Sequence, residues 1–168
     1  MIVVKDNYLD EAHYRALHSA VTGEHFPWFF NSYKVGTSDK ANLEAYQFIH
    51  NFYKFSQITN LASISSDFNI LKPILTKLDY KSLVRIKLNL NPYSQKLIVG
   101  GHHQDQNFKC KGAIYYLNTN NGYTLFKKED RKIESVGNRM VFFDATLHHL
   151  GTNSTNCKNR LVLNFNYF

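Results

Sequence analysis

The period of the apolar positions changes near residue 82. Before it, Ala12, Ala16, Leu17, Ala20 and Val21 recur at three- and four-residue intervals, the spacing of one helix face. Asp10 is placed to cap that helix, Glu11 suits its first turn and Gly23 closes the run. A helix with a mostly alanine apolar face is therefore predicted from Glu11 to Gly23. Ile70, Leu71, Ile74, Leu75 and Leu78 predict a second helix. Its cap is Ser65 or Ser66, Pro73 falls in its first turn and it ends near Tyr80-Lys81. Residues 2–4 and 45–53 are rich in strand formers and read as strands, the second an outer one. Phe26-Pro27-Trp28-Phe29-Phe30 reads as core packing, and Ser32 to Ala41 as a polar loop.

From Leu83 onward the period is two. Val84, Ile86, Leu88 and Leu90 fall on one face, and Arg85, Lys87, Asn89 and Asn91 on the other. So regular a polar face either meets solvent or lines a polar cavity. Short strands are predicted at 113–117, 123–126, 132–136, 139–143 and 160–166, with a turn over 118–122. Many short strands with regular turns predict a mainly β fold with flanking α. The expected architecture is a double-stranded β-helix (jelly roll) core packed by N-terminal helices. At 168 residues the chain fits a single domain, 1–82 supporting and 83–168 forming the core.

Composition narrows the class. A 43% hydrophobic, 20% charged chain suits a packed globule and not a disordered tail. Cys110 and Cys157 have no metal-like spacing and read as reduced thiols. The first residues show neither a secretory leader nor a membrane span, so a cytoplasmic protein with no membrane partner is expected. Net charge is +7, but Lys109, Lys111, Lys127, Lys128, Arg131 and Lys132 form no basic stripe. They read as a solvated surface, with nucleic-acid contact a minor alternative.

The chemistry concentrates in Gly100-Gly101-His102-His103-Gln104-Asp105 and Leu147-His148-His149-Leu150-Gly151. On an extended segment His103 and Asp105 share a face, and His102 does not. Two imidazoles and one carboxylate with open positions form the ligand set of non-haem Fe(II) oxygenases. His13, His18, His25 and His50 stand alone and read as surface or structural residues.

In chain order, His103-Gln104-Asp105, Ile114-Tyr115-Tyr116-Leu117-Asn118, Gly122-Tyr123-Thr124-Leu125-Phe126, His149 and Arg160 form a series. It resembles the Fe(II)/2-oxoglutarate-dependent dioxygenases, specifically their prolyl-4-hydroxylase-like group. Tyr115–Thr124, Asn138-Arg139, Asp6-Asn7-Tyr8-Leu9 and Phe26-Pro27-Trp28 are similar to small members encoded by marine bacteriophages, which implies a host cytoplasm. The resemblance implies His103, Asp105 and His149 as catalytic iron ligands, His149 being selected by the following Leu150-Gly151-Thr152. It implies Arg160 as clamp for the distal carboxylate of 2-oxoglutarate, with Tyr116, Asn89 and Thr124 in the same pocket.

It further implies O2 as cosubstrate, ascorbate as supporting reductant, and hydroxylation of a C–H bond on a protein, peptide or small molecule. A protein prolyl side chain is the favoured substrate, and specificity is expected in loops 31–44 and 93–102 and at Trp28. Two departures stand out. Gly112 replaces a threonine, and Asn121 replaces the first glycine of a Gly-Gly pair, where asparagine tolerates the same left-handed backbone. The rival classes are a non-catalytic cupin-like metal- or nucleic-acid-binding module and an inert jelly roll. Neither needs a carboxylate clamp at Arg160.

Overall fold

A computed structural model describes residues 1–34 and 43–168 of the chain. Most of the expected loop at 32–41 lies outside the described residues. The elements run β1 (Val3–Lys5), α1 (Glu11–Thr22), β2 (Phe29–Asn31), β3 (Gln47–Ser56), β4 (Leu61–Ile64), a 3-10 helix (Ser66–Leu71) continuing into α2 (Lys72–Leu75), and β5 (Leu83–Pro92). They continue with β6 (Lys111–Tyr116), β7 (Tyr123–Phe126), β8 (Arg131–Glu134), β9 (Arg139–Asp144), β10 (His149–Gly151) and β11 (Asn159–Tyr167).

Eight strands form the large sheet in the order β1-β9-β6-β11-β5-β3-β2, with β4 also paired to β3. A small sheet, β10-β7-β8, faces it. All pairings are antiparallel. The sheets enclose a jelly-roll core, and the helices cover the outer face of the large one.

Alternation sorts the large sheet's side chains between two interiors. Ile86 and Leu88 of β5, Ala113 and Tyr115 of β6, Met140 of β9 and Leu161, Leu163 and Phe165 of β11 pack with Leu17, Val21, Leu71 and Ile74 from the helices. The intervening positions face the small sheet, where Ile114, Tyr116, Val141, Phe143 and Val162 meet Phe126 and Ile133. The core of the site is this second, inner space.

The helices depart from the sequence reading in informative ways. Asp10 caps α1 by accepting from the His13 amide at 3.0 Å. Yet Ala12, Ala16 and Ala20 are exposed, while Leu17 and Val21 are buried and Tyr14 and His18 half-buried. The stripe 14, 17, 18, 21 faces the sheet instead. It carries more apolar area than three methyl groups, and Tyr14 donates to the Leu117 carbonyl at 2.9 Å. Ser65 caps the second helical segment, and Pro73 sits at its α-helical start. That helix stops at Leu75, short of the expected Tyr80-Lys81, because Lys77 bonds back to Ile74 and tightens the turn.

The aromatic run also divides. Phe26 and Trp28 pack against the helix-side core, whereas Phe29 and Phe30 are 60% and 65% exposed. Strand β3 is not an edge along its length, since β2 and β4 pair beyond it. Both cysteines are free. Among the described residues no helix is long and apolar enough to cross a membrane.

Candidate metal centre and adjoining cavity

His103 and Asp105 lie between β5 and β6, but not on a regular strand as the sequence suggested. Isolated bridges hold the segment extended. His103 and His149 exchange backbone bonds of 2.9 and 2.8 Å, Gly100 bonds Gly151 at 2.9 Å, and the Asp105 amide reaches the Ala145 carbonyl at 3.0 Å. The pairing brings the two imidazoles side by side, ring centroids 4.6 Å apart and the planes tilted by 51°. One ligand atom from each of His103, Asp105 and His149 falls within 4.8 Å of the others. His102 and His148, their sequence neighbours, are exposed.

The protonation states suit a cation. His103 Nδ1 lies 3.2 Å from the Gly101 carbonyl and His149 Nδ1 2.9 Å from the Leu147 carbonyl. A carbonyl only accepts, so each Nδ1 carries the proton and each Nε2 lone pair is free to ligate. Burial, helped by the neighbouring His149, pushes His103 down to about 4, so it is neutral at pH 7. Burial alone would raise Asp105. The Arg85 guanidinium, His149, an Asn166 hydrogen bond and His103 outweigh it and hold the carboxyl below its ordinary range. Arg85 Nη2 is 2.8 Å from Asp105 Oδ1, and Asn166 Nδ2 is 3.2 Å from Oδ2.

A polar cavity of about 80 Å³ runs from the two histidines to Arg160. The alternating face of β5 resolves to its wall, Lys87, Asn89 and Asn91 all lining it. Arg160 is 3% exposed. Its Nε donates to Ser135 Oγ at 2.7 Å, Nη1 to the Thr152 carbonyl at 3.1 Å and Nη2 to Thr124 Oγ1 at 3.3 Å. None of these partners is anionic, and Arg160 forms no ion pair among the described residues. A buried guanidinium without a counter-ion is costly, so the chemistry of this end of the cavity suits an anion.

Thr124 and Asn89 line this cavity. Asn89 Nδ2 also reaches the Val162 carbonyl at 3.4 Å. Tyr116 lies under the Arg160 guanidinium, 5.4 Å from ring centroid to Cζ, and gives its hydroxyl to Thr124 Oγ1 at 2.8 Å. It is fully buried and supports those two side chains from beneath.

Gly122 permits the arrangement. A Cβ there would stand 2.4 Å from the Asn153 carbonyl and 2.5 Å from Arg160 Cδ. Asn121 does not use the left-handed backbone that asparagine tolerates; among the described residues the positive-φ residues other than glycine are Asn7, Asn60, Asp130 and Asn138. Its side chain instead ties the turn to Thr155. Gly112 is set by Phe143, whose ring lies 2.9 Å from where a Cβ would be.

Sequence reasoning missed Arg85, Asn166, Lys87, Asn91, Asn164 and Ser135 as site residues. The alternation of β5 carried the signal for Arg85, Lys87 and Asn91, and Asn164 and Asn166 share the parity of Arg160 on β11. Nothing local singles out Ser135. A second groove, of about 790 Å³, opens beside Asp105 and Arg85, bordered by Tyr53, Phe55, Ile58, Phe108 and Phe168. Trp28 lines neither space.

No protein-family profile and no curated protein matches this sequence. Solved structures do. A prolyl hydroxylase from Trichoplax adhaerens, in complex with a hypoxia inducible factor peptide, is 13% identical with a TM-score of 0.67 over 99% of this chain and 83% of its own. The viral collagen prolyl hydroxylase of Paramecium Bursaria Chlorella virus-1, bound to 2-oxoglutarate, is 14% identical with a TM-score of 0.60, covering 98% and 94%. The α-ketoglutarate-dependent non-haem epimerase of nogalamycin biosynthesis is 12% identical with a TM-score of 0.65, covering 99% and 77%. From end to end, this chain has the fold shared by prolyl hydroxylases and other 2-oxoglutarate-dependent oxygenases.

Proposed function

We propose that the protein is an Fe(II)- and 2-oxoglutarate-dependent dioxygenase that hydroxylates a C–H bond. One observation carries the reading. A two-histidine, one-carboxylate cluster and a buried arginine with no counter-ion among the described residues stand at opposite ends of one polar cavity. A metal-binding module without turnover has use for the first and none for the second.

The donor set fits iron. Two imidazoles whose Nδ1 atoms face backbone carbonyls, leaving Nε2 to ligate, and one carboxylate supply three ligands on one side of an ion, leaving the other side open. When bound, iron with 2-oxoglutarate and O2 supplies an oxidant for substrate C–H while the oxo acid is decarboxylated to succinate.

The protein's own work is positioning. Backbone carbonyls at Gly101 and Leu147 fix the imidazole tautomers. Arg85 and Asn166 hold the Asp105 carboxylate ionised and oriented. Arg160 receives the distal carboxylate of 2-oxoglutarate through paired charge-assisted bonds, backed by Tyr116, with Thr124 and Asn89 beside it.

A peptide is the favoured substrate, its reacting residue a prolyl side chain. The supports are the likeness to two prolyl hydroxylases and the groove beside Asp105, whose aromatic border suits an apolar ring. The epimerase shares the fold, so fold alone does not set the outcome of oxidation.

The test is succinate formation from 2-oxoglutarate by iron-loaded protein on adding O2, with the charge-transfer band of the anaerobic Fe(II) complex as a second readout. Turnover lost in His149→Ala, and weakened in Arg160→Ala at low 2-oxoglutarate, is the expected result. Absence of both turnover and band would refute the assignment.

A further inference from the structure

Besides Arg160, two lysines line the cavity, Lys34 and Lys87. Lys87 lines it from β5, and among the described residues its side chain has neither a hydrogen bond nor an ion pair. Burial, with Arg85 and Lys54 adding repulsion against the pull of Asp105, brings its pKa down to about 8. Directly across the ladder, Lys87 is paired with Asn164 of β11, and Asn164 Oδ1 is a buried acceptor with no partner. Two groups wanting partners therefore face the same space side by side.

Register places them along the cavity. On the β5–β11 ladder the inward pairs are Arg85 with Asn166, Lys87 with Asn164, Asn89 with Val162, and Asn91 with Arg160. The first pair holds Asp105 and the last carries the arginine. Successive inward pairs are about 7 Å apart. Lys87 thus belongs to the histidine–aspartate end, one step from Asp105 and two from Arg160. Of the cations lining the cavity, the two carried by the β5–β11 ladder, Lys87 and Arg160, stand toward opposite ends of it, an arrangement that suits the two carboxylates of a dianion.

We propose that Lys87, oriented by Asn164, holds the carboxylate next to the oxo group of 2-oxoglutarate. One of the three ammonium N–H groups satisfies Asn164 Oδ1, and the others remain for the carboxylate. This rests on the dioxygenase reading above and adds a positioning residue to it. A charge-assisted contact of this kind accounts for about 10- to 100-fold in affinity.

The test compares three ligands by calorimetry on full-length, Mn(II)-loaded protein. 2-Oxoglutarate carries both carboxylates. 2-Oxopentanoate keeps only the carboxylate beside the oxo group, and 4-oxopentanoate keeps only the distal one. Lys87→Met should weaken 2-oxoglutarate and 2-oxopentanoate by about 10- to 100-fold and leave 4-oxopentanoate within about twofold, since its lost contact is absent there. Arg160→Met should show the reverse selectivity. Lys87→Gln serves as a second variant, with thermal unfolding verifying that each variant folds.

Wild-type affinities retained for all three ligands in Lys87→Met would overturn the proposal while leaving the dioxygenase reading intact. Equal losses for all three would also overturn it, showing Lys87 to act on the whole cavity. A wild type that binds none of the three refutes both readings.

Discussion

Replacing Arg85 with methionine removes the partner of the Asp105 carboxylate and keeps an apolar stem in its place. In the metal-free protein this pair is the main compensation for a carboxylate whose side chain is 3% exposed; Arg85 itself is 24% exposed, and the contact is 2.8 Å. Breaking a buried pair from one side costs about 3–5 kcal/mol. The partial exposure of Arg85, and the Asn166 bond that survives on Oδ2, put this case lower, at about 2–3 kcal/mol. For a chain of this size that is a fall in Tm of roughly 5–10 °C.

The metal should reverse the effect. A divalent cation takes over the role of Arg85 at the same carboxylate, so the variant gains more from metal than the wild type does. The assay is thermal unfolding of both proteins in chelator and again in Mn(II). The expected result is a clear Tm gap in chelator that narrows or closes in Mn(II).

The sign with pH follows from the depressed Asp105 pKa. The stabilisation is fully present above the ordinary carboxylate range and is lost as pH falls through the lower folded value. The gap in chelator should therefore be full at pH 7 and shrink below about pH 4. Equal Tm values in chelator, or equal metal-induced increments in both proteins, would refute the claim that Arg85 stands in for the cation.

Three further outcomes are expected. Asn138→Ala should lower the urea midpoint by an amount equivalent to about 3–5 kcal/mol. It removes three buried bonds, to both backbone groups of Leu9 and to the Tyr115 hydroxyl, from a residue at φ 63°; a loss below about 1 kcal/mol would contradict the account. Gly122→Ala should displace Arg160 and weaken binding of 4-oxopentanoate more than of 2-oxopentanoate, read by calorimetry; equal affinities to wild type would show that the space is not needed. Lys87→Met should raise stability by up to about 3 kcal/mol at pH 7, because charging the buried amine opposes folding. The depressed amine makes wild-type stability rise as pH goes from about 8 to 10.5, so that advantage should vanish across the same range in pH-dependent chemical unfolding.

The sequence alone determined what depends on local spacing. Period two on β5 and β11 set which side chains share a face, and Asp10 and Ser65 set where helical segments begin. The two histidine pairs, with Asp105 two positions beyond His103, set which side chains gather, because alternation sends His103 and Asp105 one way and His102 the other.

The tertiary structure decided what lies opposite. The polar face of β5 meets a cavity because β7, β8 and β10 close over it, a partner that its own alternation does not specify. The β10 segment is only three residues long, and it is extended because it pairs with β7 and is bridged at His149 to His103, 46 positions away. Helix α1 turned Tyr14, Leu17, His18 and Val21 inward and left its alanines in water, since the sheet it met rewarded larger side chains. Arg85 and Asn166 came to hold Asp105 across separations of 20 and 61 residues. Spacing along a chain fixes directions, whereas burial and charge pairing depend on which surface closes against which, and only the folded chain supplies that surface.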